Sequence, residues 1–372
     1  MNYICHACGK TYPAIPEHIK CTCGSALWLD FKGRLKKEDI ISNDFTLWRY
    51  IAAYPIDKDD VVISYNETLT PLTAINFNSC PIMVKQDNLM PTGSFKDRGV
   101  SMVLNYVHKF GVKKVAEDSS GNGGSSFAGY CALGGLDLKV FVPAGTSAGK
   151  IAQMKVYGAD LVEVEGSRSD VTDEAMKNIG GRVYVGHNWH PLFVQGTKSV
   201  AYEIWEQNNF KAPDQVVCVA GNGSMVCGLY LGFTELLASG EIDKLPKIFA
   251  VQSESCNTLY RGFYDMPLDF EVKPTLAEGI SIYRSSNHHE VVEFIKASGG
   301  QIMSVSENEI KEALFDIGTY GFYIEPTSAT GFAGLRKLID DEVIKKDEKT
   351  VVIISGNGLK ATDKILNLME AK

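Results

Sequence analysis

Three glycine-rich turns fix what this chain can fold into: Ser119-Ser120-Gly121-Asn122-Gly123-Gly124, Ala220-Gly221-Asn222-Gly223-Ser224-Met225 and Ser355-Gly356-Asn357-Gly358-Leu359-Lys360. Each follows an apolar run of strand length, and the first two open helical runs. Further strand-length runs lie at 81–84, 114–116, 138–142, 160–164, 182–185, 215–220, 248–252 and 351–354. Helical spacing predicts helices between them over 94–110, 123–134, 147–157 and 170–179, and longer ones over 196–207, 225–237 and 307–318. Alternation at this spacing means βαβ units, hence parallel sheets with helices on both faces. The expected fold is α/β, built as two doubly wound αβα domains. With 372 residues, 45% of them hydrophobic, the chain has enough apolar material for a large core. Ligands in such sheets sit outside the carboxyl ends of the strands, where these turns fall.

A second feature stands out against that background. Pro91-Thr92-Gly93-Ser94-Phe95-Lys96-Asp97-Arg98-Gly99 puts a lysine in the first turn of the helix whose apolar stripe is Val100, Val103, Leu104 and Val107. The helix dipole favours anions at that end, not an ammonium. A desolvated amine there is more readily neutral and can attack a carbonyl. The plainer reading is a surface lysine paired with Asp97. The glycine turns weigh against it, because backbone N–H groups at a strand–turn–helix junction cradle anions. A reactive lysine together with a phosphate cradle points to pyridoxal 5'-phosphate (PLP).

Taken in order, these motifs resemble those of the threonine synthase family, within the tryptophan-synthase-β-like (fold type II) PLP enzymes. The likeness extends to Ala148-Gly149-Lys150-Ile151-Ala152-Gln153 and Tyr157-Gly158-Ala159. It implies a larger PLP-binding domain from residues 31–97 and 188–372, a smaller inserted domain at 98–187, and the cofactor in the cleft. It implies that Lys96 forms the Schiff base and carries the Cα proton, and that Asn122 hydrogen-bonds the ring phenolate. Gly221, Asn222, Gly223, Ser224 and Met225 bind the cofactor phosphate through backbone N–H groups. Thr92, Ser119 and Ser120 hold the substrate carboxylate. Ser355 faces the pyridine nitrogen. A hydroxyl does not hold that nitrogen protonated as a carboxylate does, so the electron sink is weaker and expulsion of a leaving group is favoured over transamination. Read singly, Asn122 is a helix N-cap and Ser355 a turn residue. The expected partner is a small amino-acid substrate, and a homodimer is expected by analogy.

The substrate end of the resemblance differs. The family commonly places an Asn-x-x-Asn-Pro-x-Arg-like stretch before the helix at 196–207 to grip a substrate phosphate. Here the run is His187-Asn188-Trp189-His190-Pro191-Leu192-Phe193, with Phe193 in the arginine place. Met225 ends the phosphate loop where asparagine is usual, and Gly123 stands where threonine often follows Ser-Gly-Asn. Phenylalanine offers phosphate no bidentate fork; Lys150, Arg168 or Arg98 would have to substitute. The leading expectation is a threonine-synthase-like lyase acting on an activated amino acid such as O-phosphohomoserine, with weaker use of that substrate than is typical. An arginine at position 193 is expected to improve it. The alternative is β-replacement or deamination on a serine, threonine or O-phosphoserine substrate, of the cysteate synthase or threonine dehydratase type. A third, non-catalytic reading is a metabolite-binding or zinc-ribbon interaction protein.

Residues 1–30 carry Cys5-x-x-Cys8 and Cys21-x-Cys23, a Cys-rich segment like a zinc ribbon whose four thiols suit one structural, tetrahedral zinc. A net charge of −8 argues against nucleic acid and against an anionic membrane surface. No apolar run approaches a membrane span, no signal-peptide pattern opens the chain, and nine cysteines in this length do not make a disulfide scaffold, so a reducing cytoplasm is expected. His187, His190, His288 and His289 show no catalytic spacing and are read as surface or satisfied histidines.

Overall fold

The computed structural model describes residues 1–119, 121–144, 146, 148–166 and 168–370. In chain order the strands are β1 (Asn2–Ile4), β2 (Thr11–Pro13), β3 (Trp28–Leu29), β4 (Leu72–Phe77), β5 (Cys80–Gln86), β6 (Lys114–Glu117), β7 (Asp137–Pro143), β8 (Asp160–Val164), β9 (Val183–Tyr184), β10 (Gln215–Val219), β11 (Lys247–Ser253), β12 (Ile302–Val305) and β13 (Thr350–Ile354). The chain is α/β and divides into two compact units.

The first unit comprises Met1–Leu35, Asp39–Thr68 and Lys96–Thr197. Residues 39–68 and 188–197, expected in the larger domain, belong to this unit. Its main sheet is wholly parallel, in the order β8-β7-β6-β9. β7 buries Leu138, Val140, Phe141 and Val142, as a strand covered on both faces does. A small antiparallel sheet, β2-β1-β3, carries the N-terminal cysteines. It is tied to the helix Lys96–Lys109 by the Tyr106 hydroxyl, which donates to the Ala14 carbonyl at 2.6 Å. Asn105 of the same helix accepts the N–H groups of Val62 and Ile63, each at 2.8 Å.

The second unit comprises Lys36–Glu38, Leu69–Phe95 and Lys198–Lys372. Its sheet runs β12-β11-β10-β13-β5-β4, parallel throughout except that β4 pairs antiparallel with β5. Every residue of β10 and β13 is buried, so these central strands read as unbroken apolar runs in sequence. The helix Pro326–Asp340 packs so closely on this sheet that a side chain at Gly334 would meet Val251 at 2.5 Å. In both units the glycine turns stand at carboxyl ends of parallel strands, after β6, β10 and β13.

Candidate active site

Lys96 is itself the first residue of the helix Lys96–Lys109. The next two residues, Asp97 and Arg98, are fully buried, and the Asp97 carboxylate accepts from Ser126 Oγ at 2.5 Å. Lys96 is half-buried, with Nζ 5.5 Å from the centre of the Phe193 ring. The amine thus lies over an aromatic ring on a partly buried side chain, next to a buried carboxylate held by the neighbouring helix.

The loop after β6 leads into the helix Asn122–Gly134, which has no side-chain cap at Gly121. Ser119 is buried, and its Oγ accepts the Gly121 N–H at 3.3 Å. Ser120 lies outside the described residues. The glycines are demanded by close approach: a Cβ on Gly124 would lie 2.0 Å from the Ser119 carbonyl oxygen, and one on Gly123 2.7 Å from the His187 ring. His187 is not a surface residue. It is buried, with Nδ1 2.7 Å from Oε1 of fully buried Glu117. Residue spacing gave no hint of this pair, since seventy positions separate its members. The one usable signal was a carboxylate two residues ahead of Ser119.

In the second unit, β10 ends in the turn 220–223 and the helix Ser224–Ala238 follows, again without a side-chain cap. Gly223 has φ +88°, and a side chain there would meet Val291 at 2.1 Å, so backbone geometry alone requires glycine. Asn222 spends its side chain on the loop at 285–286: its Oδ1 accepts the Ser286 N–H at 2.9 Å, and its Nδ2 lies 3.0 Å from Ser286 Oγ. Ser224 and Met225 are buried at the helix start. At the end of β13, the Ser355 hydroxyl is buried 3.0 Å from Ser328 Oγ. Two main-chain contacts link this third turn to the lysine motif: Phe95 N–H donates to the Ser355 carbonyl at 3.0 Å, and Ser94 bridges to Gly356. Thr92 is buried, its carbonyl accepting from Lys360 Nζ at 2.7 Å.

The profile of the pyridoxal-phosphate dependent enzymes matches residues 63–356. The chain belongs to that family. It is similar to the threonine synthase of Methanocaldococcus jannaschii, 31% identical, with 98% of this chain and 94% of that protein aligned. It is similar also to the threonine synthase of Mycobacterium bovis, 32% identical over 86% of this chain and 90% of that one. Among solved structures it shares its fold with a fungal L-serine ammonia-lyase from Rhizomucor miehei, at TM-score 0.71 and 20% identity, covering 82% of this chain and 98% of the other. The chain is thus a fold-type II PLP enzyme that resembles threonine synthase.

Each unit carries groups of the kind that suit the cofactor of this family. Two helices open on glycine turns without a side-chain cap, which leaves their first N–H groups suited to an anion. The fully buried Ser94 Oγ, two residues before Lys96, has no hydrogen-bond partner among the described residues. At the substrate end, Phe193 is buried and Arg98 fully so, while Lys150 is half-buried on the helix Ala148–Val156. The Arg168 side chain lies outside what is described. His190, also expected at the surface or satisfied, is buried. Its Nδ1 accepts the Leu192 N–H at 3.3 Å, and burial holds its pKa down at about 3. His289 is exposed and His288 half-buried.

The four N-terminal cysteines converge, with all ligand atoms within 4.8 Å of one another. Sγ of Cys5 lies 3.6 Å from that of Cys23, and Sγ of Cys8 3.5 Å from that of Cys21. Burial pushes the Cys5 thiol up to about 12, whereas the Cys23 N–H and the Tyr12 hydroxyl bring Cys21 down to about 6.

Proposed function

We propose that this chain is a PLP-dependent carbon–oxygen lyase of threonine synthase type, acting on an activated amino acid such as O-phosphohomoserine and yielding L-threonine. The observation that carries this reading is the buried hydroxyl pair Ser355–Ser328 at the end of β13. A hydroxyl facing the pyridine nitrogen leaves that nitrogen unprotonated, which favours loss of a leaving group over reprotonation. When bound, PLP supplies a conjugated ring that accepts the electrons released at Cα.

The residues of the chain take the remaining roles. Lys96 holds the cofactor covalently and, once released, takes the proton from Cα of the substrate. Asn122 orients the ring oxygen. The backbone N–H groups of Gly221, Asn222, Gly223, Ser224 and Met225 bind the phosphate, in keeping with an Asn222 side chain already engaged by Ser286. Thr92, Ser119 and Ser120 bind the substrate carboxylate, and Lys150 is a cation for a substrate phosphate. Cys5, Cys8, Cys21 and Cys23 hold one structural zinc. The buried phenylalanine at 193 supports a second reading, β-replacement or deamination of a serine-, threonine- or O-phosphoserine-type substrate.

Borohydride reduction and peptide mapping test the cofactor site. Label on Lys96 is the expected result, and label elsewhere, or no bound PLP, refutes it. Lys96→Ala removes both the covalent link and the proton carrier, so turnover should vanish. Assays on O-phosphohomoserine, O-phosphoserine, threonine and serine then decide between the two substrate readings.

A further inference from the structure

Ser355 directly follows β13, and Ser328 lies in the first turn of the helix Pro326–Asp340. Both belong to the second unit and both are buried, Ser328 fully. Their hydroxyls are 3.0 Å apart, and that distance alone does not say which one donates. The other bonds of Ser328 decide it. Its Oγ accepts the Ser355 N–H at 3.1 Å and the Gly356 N–H at 2.9 Å. A hydroxyl has two lone pairs and one proton. The two backbone donors fill both lone pairs, so none is left to receive the Ser355 proton. The Ser328 proton has two acceptors in reach, Ser355 Oγ at 3.0 Å and the Gly356 carbonyl at 3.3 Å. That carbonyl already accepts the Glu325 N–H at 3.2 Å, and Ser355 Oγ is the nearer of the two. Whichever takes the proton, Ser328 does not hold the proton of Ser355. Among the described residues Ser355 Oγ has no second partner. A buried O–H with no acceptor carries a desolvation penalty, so this proton is one that a bound ligand would take up.

We infer that Ser328 is a positioning residue that holds the Ser355 hydroxyl as a donor, so that the ligand atom facing Ser355 has to be an acceptor. This rests on the proposed function, in which that atom is the pyridine nitrogen of the cofactor. A lone hydroxyl suits either form of such a nitrogen: it gives its proton to the free base, or it accepts the N–H of the pyridinium. With Ser328 in place only the first is open. The bias against a protonated ring, and with it the preference for expelling a leaving group, then lies in the serine pair and in the two N–H groups that saturate Ser328. It does not lie in the Ser355 side chain alone. Without the Ser328 hydroxyl, Ser355 Oγ loses the donor it accepts from and is released to accept from a ring N–H.

The test reads the nitrogen itself. Holoenzyme is prepared with pyridoxal phosphate carrying nitrogen-15 in the ring, and the nitrogen shift is followed from about pH 9 down to about pH 6. In the unmodified protein the shift should stay at the free-base value throughout. In Ser328→Ala it should move to the pyridinium value as the pH falls. Ser328→Thr, which keeps the hydroxyl, should behave as the parent. A purely structural role would loosen cofactor binding or lower the unfolding midpoint without moving the shift. If alanine at 328 does not hold the cofactor, Ser328→Cys replaces it under the same readout, since a thiol donates and accepts only weakly. A loaded variant that stays at the free-base value over the whole range overturns the inference, as does a pyridinium in the unmodified enzyme. Ser355→Ala separates this from the reading beneath it. If that variant changes the shift and the Ser328 variants do not, the inference fails and the place of Ser355 stands. If none of them changes it, Ser355 does not face the nitrogen and the underlying reading fails, as it does for a protein that binds no PLP.

Discussion

Phe193 fills the space that a side chain on Gly99 would need: a Cβ there would lie 2.5 Å from two atoms of the ring. Gly196, on the same short helix Phe193–Thr197, lets the Arg98 carbonyl approach to 2.0 Å from where its own Cβ would stand. The lysine helix is thus seated on Phe193, which is an interior residue. This changes the expectation for an arginine at 193. Phe193→Arg should lose packing and bury a guanidinium, at a cost of about 3–5 kcal/mol, before any gain on a phosphorylated substrate. Gly99→Ala should cost about 1–3 kcal/mol through overpacking. Urea unfolding of both variants checks this. An arginine variant as stable as the parent, and faster on O-phosphohomoserine, would restore the view that 193 is an open substrate position.

His190 makes stability depend on pH. Burial holds its folded-state pKa at about 3, while an unfolded histidine titrates near 6.5. Between those values the unfolded chain binds the extra proton, so stability from this group is complete above about pH 6.5 and falls by roughly 1.4 kcal/mol per pH unit as pH drops towards 3. Comparing urea unfolding at pH 7 and pH 5 for the parent and for His190→Gln isolates the effect. The parent should lose more stability than the variant. Equal losses would show that the imidazole is charged or solvated in the folded state.

Much of this architecture was legible because buried parallel strands are continuous apolar runs: β10 and β13 differ from their runs by one residue at an end, and even the half-exposed edge strand β8 spans 160–164 as read. The two edge strands of the six-stranded sheet were not. β4, Leu-Thr-Ala-Ile-Asn-Phe, has one buried residue and pairs on one side only, and the apolar residues of β12, Ile-Met-Ser-Val, are interrupted by Ser304, so neither makes an apolar run. The helix Pro326–Asp340 opens with Pro-Thr-Ser-Ala-Thr-Gly, a turn-like composition that tertiary packing overrides. The predicted helix over 196–207 divides into Phe193–Thr197 and Ser199–Gln207. At the site, lysine and glycine turns could be read because each is a local pattern. His187, Glu117 and the seat of Phe193 could not, since each role arises from a partner brought close only by the strand order.

A second buried charge makes a sharper stability prediction. Lys85 on β5 and Glu203 on the helix Ser199–Gln207 are both fully buried, with Nζ 2.6 Å from Oε2 and further bonds to the Thr70 carbonyl and Gln207 Oε1 at 2.7 and 2.8 Å. The ammonium is fully engaged, yet the pair offsets a large desolvation cost. Lys85→Met should destabilise by about 3–5 kcal/mol, because it strands a carboxylate. The double variant Lys85→Met with Glu203→Leu should recover a large part of that. A double variant as unstable as the single one would mean that the attraction itself, not the orphaned charge, sets the cost.

The four cysteines should bind one zinc per chain, with a structural role. Their Sγ pairs at 3.5 and 3.6 Å are already near the edge length of a tetrahedron built on zinc–sulfur bonds of about 2.3 Å. Without metal, Cys21 is a thiolate above pH 6 while Cys5 keeps its proton to about 12. Metal must therefore displace at least the Cys5 proton, so apparent affinity should rise with pH between about 6.5 and 8. A zinc competition titration at those two pH values measures it. Because the Tyr106 hydroxyl ties Ala14 of this segment to the lysine helix, chelation should lower the thermal midpoint, and activity should fall only as the fold loosens. A chelator that stops turnover while the unfolding transition and the bound-cofactor spectrum stay unchanged would contradict a structural role. Metal content well below one per chain, in protein purified with zinc under reducing conditions, would leave the cluster as a set of free thiols.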